Sequence, residues 1–194
     1  MRRAAGDDRA LVVDLIARAF QADPTWSWAF PDPATRLDAH REWWGVFVGA
    51  ALAHHWVWLA DDDASASVWI PPGATELEEE DEQKLEGIAQ RWCGSEHAAA
   101  VLALVDQFDE HHPHDPPHYY LSLLGTDPQK RGRGTGLGLL AENLALIDSE
   151  RESAYLEASN SDNVPLYERF GFATRSQFSV PGSPEVTTMW RDPR

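Results

Sequence analysis

Hydrophobic residues recur along this chain with two periods, one typical of helices and one typical of strands. Apolar positions spaced three and four residues apart predict four helices in the first part of the chain, over residues 8–21, about 33–51, about 77–92 and 95–111. Short apolar runs between turn residues predict a hairpin and a later strand, over residues 55–60, 65–70 and 119–126.

Beyond residue 126 the predicted elements become shorter. A glycine-rich turn leads into a helix that ends near Ser149. A strand over residues 154–158 and a short helix over residues 163–170 follow, and two strands close the chain. Strands that alternate with helices around one sheet predict an α/β or α+β sandwich. With 194 residues and no linker or internal repeat, the chain is expected to form one domain over residues 1–194.

The segment from Asp127 to Leu140 reads DPQKRGRGTGLGLL and has a composition found nowhere else in the chain. Its alternate glycines allow consecutive backbone N–H groups to turn toward one point, and the following helix adds its positive end. Three cations, Lys130, Arg131 and Arg133, cluster there although the net charge is −16. The segment therefore predicts a binding nest for an anion such as a pyrophosphate, the alternative being a plain turn with solvated arginines.

Two other phosphate-binding loops do not fit this segment. It lacks the Gly-Lys-Ser/Thr ending of a nucleotide triphosphate loop, and it lacks the dinucleotide fingerprint with its acidic partner. The pattern Arg131-x-x-Gly134-x-Gly136 instead resembles the acyl-CoA pyrophosphate signature of the GNAT superfamily of N-acetyltransferases. The stretch YLEASNSDNVPLYERFGF at 155–172 also resembles that family, in its next strand, Asn-bearing loop and short helix.

This resemblance implies a fold and a co-substrate. The GNAT fold has a central mixed, mostly antiparallel sheet flanked by helices, and its co-substrate is acetyl-CoA, with no metal. Residues 1–115, approximately, would shape the acceptor pocket, and residues from about 116 to 194 would bind acetyl-CoA. The pantetheine arm would lie in a gap between the strands at 119–126 and 154–158.

The resemblance also implies roles for single residues. Arg131 and Arg133 would donate charged hydrogen bonds to the pyrophosphate, a backbone N–H near Leu124 would face the thioester oxygen, and Asn160 would contact the CoA arm. Asn163 is the better candidate for capping the short helix, because Val164-Pro165 follows it. The expected cofactor-binding residues are Leu124, Thr126, Arg131, Gly132, Arg133, Gly134, Thr135, Gly136, Leu137, Gly138 and Asn160.

Two side chains are candidates for proton transfer. Tyr167 matches the family tyrosine that protonates the CoA thiolate, and a phenol of ordinary pKa about 10 can do so; the alternative is a buried aromatic residue. Where several members carry a Glu or His base, this chain has Tyr120, which is too weak a base. His118 shares the face of Tyr120 and Ser122 by strand alternation and is the first candidate base, directly or through water, the alternative being a structural histidine.

Other clusters suggest less specific chemistry. Four histidines, His111, His112, His114 and His118, have loose spacing with prolines among them, so no metal site is expected. The seven carboxylates from Glu76 to Glu86 are expected to lie in solvent. Of the aromatic residues at positions 26–47, most are expected in the core and one or two in a pocket for an aromatic or hydrophobic amine.

Composition narrows the classes of partner. Strong acidity argues against a nucleic-acid partner, and no apolar run approaches the roughly 20 residues of a membrane helix. The single Cys93 excludes an intrachain disulfide, and the N-terminal segment is too polar for a signal peptide, so a cytoplasmic location is expected.

The function expected from these features is acetyl transfer from acetyl-CoA to the primary amine of a small, aromatic or aminoacyl molecule. A protein or peptide N-acetyltransferase and a non-catalytic acyl-CoA sensor remain as alternatives. The oligomeric state stays open, with a homodimer among the alternatives.

Overall fold

The computed structural model describes all 194 residues and contains one seven-stranded sheet in the order β1-β2-β3-β4-β5-β7-β6. The strands are β1 (Arg2–Arg3), β2 (Val57–Leu59), β3 (Ser65–Ile70), β4 (His118–Thr126), β5 (Ser153–Ala158), β6 (Ala173–Phe178) and β7 (Val186–Arg191). Neighbouring strands run antiparallel except for the central pair, β4 and β5, which are parallel. The predicted mixed, mostly antiparallel sheet is confirmed.

Seven α-helices cover the two faces of this sheet. They are α1 (Arg9–Ala19), α2 (Pro24–Ala29), α3 (Arg36–Ala51), α4 (Glu79–Cys93), α5 (Ser95–His111), α6 (Thr135–Glu150) and α7 (Val164–Glu168). One buried cluster joins α1 to α5 with side chains such as Val68 and Leu123, and a second joins α6 with side chains such as Leu121 and Leu156. The helices all fall short of the length and apolar character that spanning a lipid bilayer requires.

Two short elements were not predicted. β1 has only two residues, and α2 has only six, so neither is long enough to display a period. α2 begins because the Asp23 carboxylate accepts a hydrogen bond from the Trp26 N–H at 3.1 Å and Pro24 occupies the first helical turn. The segment was expected to be a connection between helices, and it is a helix that packs Trp26 into the core.

Strand β4 contains a bulge that changes which side chains share a face. Val68 of β3 lies opposite Leu123, but the next residue of β3 lies opposite Leu121, so Ser122 is the extra residue. Before the bulge, Tyr120 belongs to the face covered by α1 to α5; after it, Leu123 does. The alternation expected for His118 and Tyr120 holds, because both rings contact His112, but it is interrupted at Ser122.

The central strands separate soon after they meet. β4 and β5 pair over four residues only, from His118↔Ser153 to Leu121↔Leu156. Beyond that point β4 stays paired with β3 as far as Thr126, and β5 stays paired with β7 as far as Ala158. The two facing strand edges therefore have unpaired backbone groups on either side of a gap, as the resemblance implied.

Helix α6 packs closely against the end of β4 at Gly136. A Cβ atom at this position would overlap the Thr126 hydroxyl, which itself shares a hydrogen bond of 2.9 Å with the Ser65 hydroxyl. Gly138, two residues further along and on the exposed side of the helix, has open space where a Cβ atom would lie. The first turn of α6 thus requires glycine at position 136 for packing, but not at position 138.

We predict opposite effects for two alanine substitutions in α6. Gly136→Ala should lower the free energy of unfolding by about 1–3 kcal/mol, because the new methyl group overpacks against Thr126. Gly138→Ala should raise it by about 0.5–1 kcal/mol, because alanine restricts the unfolded chain more than glycine does. Urea denaturation measures both. Gly136→Ala should cost less in a Thr126→Ala background, and equal costs in the two backgrounds would contradict the packing explanation.

Candidate active site

A cavity of about 970 Å³ opens where β4 and β5 separate. We call the part lined by the end of β4 and residues 130–137 the nest end, and the part lined by Glu76, Tyr120, Ser122 and Glu157 the carboxylate end. Both predicted halves of the chain contribute to its lining. The site is described below from the nest end to the carboxylate end.

The nest end is formed by backbone N–H groups that have no acceptor within the protein. Gly132 and Gly134 have φ values of 80° and 78°, which only glycine adopts readily, and they turn the chain into α6. The N–H groups of residues 131–137 make no backbone hydrogen bond, whereas the Gly138 N–H donates to the Gly134 carbonyl at 2.8 Å. Gly138 therefore lies outside the free donors, although it was expected among the binding residues.

The cations at the nest end differ in their positions. Arg131 lines the cavity and donates a hydrogen bond to the Ala19 carbonyl, which ties the nest to the end of α1. Lys130 also lines it and donates to the Asp62 carbonyl at 3.2 Å. Arg133 is exposed and outside the lining, so its contact with a phosphate stays a prediction. Free N–H groups, a helix N-terminus and nearby cations together suit a diphosphate.

The gap between the strands suits an extended amide-bearing arm. Leu124 and Thr126 line the cavity on the β4 side, and Ala158 and Ser159 line it on the β5 side. The edge of β4 from Ser122 onward is unpaired toward β5, so its backbone groups are free to bind amides as an added strand would. These residues fit the pantetheine arm of CoA.

Asn160 and Asn163 do not divide the roles of cavity contact and helix cap as expected from the sequence. Asn160 lines the cavity, but its side chain also accepts a hydrogen bond from the Asp162 N–H at 3.0 Å and so caps the turn before α7. Asn163, which was expected to be the cap, makes no capping hydrogen bond, and it too lines the cavity. The sequence prediction was wrong about the cap, because the turn begins three residues earlier than expected.

Tyr167 lies on α7 and lines the cavity. Its ring packs edge-on against Phe172 at 6.1 Å between centroids. Burial, followed by the nearby Asp23 carboxylate, raises the pKa of Tyr167 to about 12. The phenol therefore stays protonated at neutral pH, and its role as an acid stays a prediction.

Asp23 joins the segment above the gap to the end of β5. Its second carboxylate oxygen accepts a hydrogen bond from the Ser159 hydroxyl at 2.8 Å, and Thr25 donates to the Ser159 carbonyl at 2.7 Å. Burial raises the pKa of Asp23, although these hydrogen bonds oppose the shift. The start of α2 is thus fixed across the cavity, next to Tyr167.

His118, the expected base, does not line the cavity. Its ring is 8% exposed, Nδ1 lies 2.9 Å from the Pro116 carbonyl oxygen, and Nε2 lies 3.2 Å from Nε2 of His112. Burial lowers the pKa of His118. A direct role in removing a proton from a substrate is therefore excluded by position, because the Pro116 carbonyl and the His112 ring occupy its two ring nitrogens.

Two carboxylates occupy the position where a base is needed. Glu157 is the first residue of β5 beyond the part of that strand that pairs with β4. Its side chain is 2% exposed, and its Oε1 has no hydrogen-bond partner. Glu76 is partly exposed as a residue, but its Oε1 is also fully buried and unpartnered. Burial, reinforced by the charge of Glu157, raises the pKa of Glu76 to about 7, although the Ser122 hydroxyl opposes the shift. Two carboxyl groups whose Oε1 atoms have no hydrogen-bond partner thus line one cavity, an arrangement that suits an ammonium group.

The phenols around Glu157 stay protonated. Burial is the largest cause that raises the pKa of Tyr120 and Tyr155, and the neighbouring Glu157 carboxylate raises both further. Tyr120 is therefore an even weaker base than its residue type suggests, and it is suited to donating hydrogen bonds at the carboxylate end.

The acidic run at 76–86 lies only partly in solvent. Glu82 and Glu86 of α4, together with Asp106 and Asp109 of α5, are exposed and line the mouth of the cavity. The expectation that the whole run is solvated was wrong at Glu76, whose Oε1 is buried, whereas Glu82 and Glu86 are exposed. Apolar side chains cover the walls between the mouth and Glu157, and among them are Trp26, Trp44, Phe47, Leu85, Leu102 and Phe108.

Sequence reasoning missed Glu76, Glu157 and His112. Glu157 had a usable signal, because a carboxylate in the otherwise apolar strand YLEA must either face a cavity or be paired. Glu76 and His112 had none, since one lies in an acidic run and the other among four histidines. His, Cys, Asp and Glu side chains nowhere form a group of three or more that could hold a metal ion.

Comparisons with known proteins agree with this geometry. The model of the acetyltransferase (GNAT) family matches residues 14–172. A stretch of 55 residues is 44% identical to a mycothiol acetyltransferase of Salinispora arenicola (strain CNS-205), and the match covers 26% of this chain and 18% of that enzyme. The likeness to that enzyme is thus confined to a small part of its length.

Two solved structures extend the likeness to the whole chain. A histone acetyltransferase HPA2 and related acetyltransferase from Corynebacterium glutamicum ATCC 13032 has a TM-score of 0.68 at 22% identity, covering 100% of this chain and 95% of that one. Arylalkylamine N-acetyltransferase 2 from Aedes aegypti has a TM-score of 0.65 at 12% identity, covering 100% and 98%. At these identities the likeness shows the fold.

The nest predicts a specific effect of charge at Gly134. Acetyl-CoA at about 100 times its Kd should stabilise the wild-type protein by about 2.7 kcal/mol, measured as a thermal shift. Gly134→Asp should abolish this stabilisation, because it adds a negative charge beside the pyrophosphate. Gly134→Asn is the matched control, since asparagine has the same size and tolerates positive φ better than most residues. A folded Gly134→Asp variant that acetyl-CoA still protects would contradict the nest.

Proposed function

This chain belongs to the GNAT acetyltransferase family, and from that premise we propose that it transfers the acetyl group of acetyl-CoA to the primary amine of a small molecule. The observation that carries the proposal is the single cavity that joins a nest of free N–H groups to an unpaired carboxylate pair. The first end suits the diphosphate of CoA, and the second suits an ammonium group. The thioester would lie between them, in the gap of the sheet.

The roles of the cofactor-binding residues follow from their positions. The diphosphate would accept hydrogen bonds from the N–H groups of residues 131–137 and from Arg131, with Arg133 as a further donor from the surface. The pantetheine arm would pair with the free edge of β4 near Leu124 and Thr126, and Asn160 would contact it from the β5 side. A backbone N–H near Leu124 would stabilise the oxyanion that forms when the amine attacks the thioester carbonyl.

The acceptor is proposed to carry an apolar or aromatic body behind its amine. Support comes from the walls of the cavity, where Trp26 stacks on Phe108 at 6.2 Å between centroids and Trp44 lies edge-on to Trp26 at 4.6 Å. The stretch NVPLYERFGF and residues 187–191 also led to the narrower expectation of a likeness to puromycin N-acetyltransferase, which stays a prediction. An aminoacyl or arylalkyl amine combines the two required parts.

Tyr167 is proposed as the acid that protonates the departing thiolate. Tyr167→Phe should lower kcat on the order of 10²-fold while acetyl-CoA protects the variant as well as the wild type, because only the hydroxyl is removed. Since its pKa is raised to about 12, the wild-type rate should show no loss from Tyr167 ionisation between pH 7 and 10. Steady-state kinetics across this range measure both effects. An unchanged kcat in the Phe variant would assign Tyr167 to packing alone.

An amine panel tests the acceptor class. With acetyl-CoA present, arylalkyl and aminoacyl amines should give higher kcat/KM than lysine side chains of peptides or aminoglycosides, because only the former place an apolar body against the aromatic walls. The difference should be of the order expected for one cation–π or apolar contact, about 0.5–2 kcal/mol. Thiol release measures the rates. A preference for peptides would favour the alternative of a protein N-acetyltransferase, and no release with any amine would contradict the proposed activity.

A further inference from the structure

Glu157 is connected to a pair of histidines that the acetyl transfer described above does not use. Glu157 Oε1 lies 3.8 Å from Nδ1 of His112, and Nε2 of His112 lies 3.2 Å from Nε2 of His118. His118 Nδ1 lies 2.9 Å from the Pro116 carbonyl oxygen. Four groups are thus arranged in one line of contacts that begins in the cavity.

The carbonyl at the far end of this line determines the position of each proton. A carbonyl oxygen only accepts hydrogen bonds, so His118 Nδ1 must donate to Pro116. Because burial lowers the pKa of His118, its ring is neutral and its Nε2 is an acceptor. The 3.2 Å contact between the rings is then a hydrogen bond that His112 Nε2 donates to His118.

This arrangement leaves one protonation site open on His112, the Nδ1 atom that faces Glu157. A carboxylate oxygen and a bare imidazole nitrogen repel each other, and a proton on either atom removes the repulsion. A proton that reaches Glu157 can therefore be held either as a carboxylic acid beside a neutral ring or as a carboxylate beside an imidazolium. A small side-chain rotation or one water molecule brings the two atoms, now 3.8 Å apart, into hydrogen-bond contact.

The two partners differ in their access to solvent. The Glu157 side chain is 2% exposed, whereas the His112 side chain is 28% exposed. With an acceptor filling the cavity, a proton taken up by the buried carboxylate can pass to His112 and leave from its more exposed side chain. Imidazole suits this step because it gains and loses a proton in the physiological pH range.

We propose that Glu157 takes the proton of the acceptor ammonium and that His112, held in one tautomer by His118, carries that proton to solvent. This inference rests on the proposed amine acetylation. An N–H bond of the ammonium breaks and an O–H bond forms on Glu157; the amine lone pair then forms the C–N bond while the C–S bond breaks. The departing thiolate takes one proton from Tyr167. The nitrogen loses its second proton through Glu157 and His112, as it lost the first. After Tyr167 has regained a proton, the net result is one proton released per acetyl group transferred.

The charged and titratable groups around His112 come from several elements. His118 and Tyr120 belong to β4, and Tyr155 and Glu157 belong to β5. Asp109 lies on α5, and Glu76 lies in the segment before α4. Arg175 of β6 faces His118. Three of them are carboxylates, and the one cation faces His118.

Replacement of His112 tests the route. His112→Ala should lower kcat about tenfold near pH 7, with a smaller loss at high pH, where hydroxide can take the proton. Added imidazole should restore most of the lost rate, since it can enter the space left by the ring. His114→Ala is the matched control, because His114 is an exposed histidine of the same loop and should keep the wild-type rate.

Glu157→Gln separates the carboxylate from the ring. An amide cannot take the proton, so kcat should fall on the order of 10²-fold, imidazole should not restore it, and His112→Ala should add little in this background. A wild-type rate in His112→Ala would overturn the route. So would a loss that neither imidazole nor high pH relieves in a variant with unchanged thermal stability, because that loss would be structural.

A measurement without substrate separates this inference from the acetylation itself. Nitrogen-15 NMR of the histidine rings should find His118 as the neutral Nδ1–H tautomer, and Glu157→Gln should change the chemical shift of His112 Nδ1, which faces Glu157, but not the tautomer of His118. A His118 ring protonated at Nε2 would overturn the inference even in an active enzyme. An enzyme that acetylates no amine would instead overturn the proposed function, whatever the tautomers.

Discussion

The site depends on the early separation of two parallel strands. After Leu121 and Leu156, β4 and β5 each keep a partner on one side only, so their facing backbone groups have no hydrogen bonds within the sheet. Unpaired backbone donors and acceptors in a protein interior are costly unless water or a ligand satisfies them. The gap is therefore open, extended and polar along its edges, and the nest and the carboxylates lie at its two ends.

The cavity is electrically divided in a chain that is acidic overall. Free N–H groups and two lining cations, Lys130 and Arg131, make the nest end positive, while Glu76, Glu157 and the carboxylates at the mouth make the other end negative. Salt screens exposed charges over about 10 Å, but charges within the cavity are screened less. An anion and a cation are thus directed to opposite ends, which in the proposed reaction would place a phosphate-bearing donor and an ammonium acceptor in one orientation.

The sequence by itself determined the features that are local in the chain. The nest needs glycines, cations and a helix start within ten consecutive residues, so its chemistry is legible in DPQKRGRGTGLGLL. The order of strands and helices was predictable for the same reason, because each long element shows its own period, while the two-residue β1 and the six-residue α2 do not. Within the nest, however, the sequence pattern does not distinguish the glycines. Only packing separates Gly136, where a Cβ atom would overlap Thr126, from Gly138, where a Cβ atom has open space.

Only the tertiary structure decided which side chains meet at the carboxylate end. Glu76, His112 and Glu157 come from three separate parts of the chain, and the sequence gives no distance between them. The bulge at Ser122 interrupts the alternation of β4, and burial turns His118 away from the cavity toward Pro116. A proton-transfer site requires side-chain atoms that lie a few ångströms apart and are buried to a defined extent. Both the distances and the burial arise only when distant segments pack together.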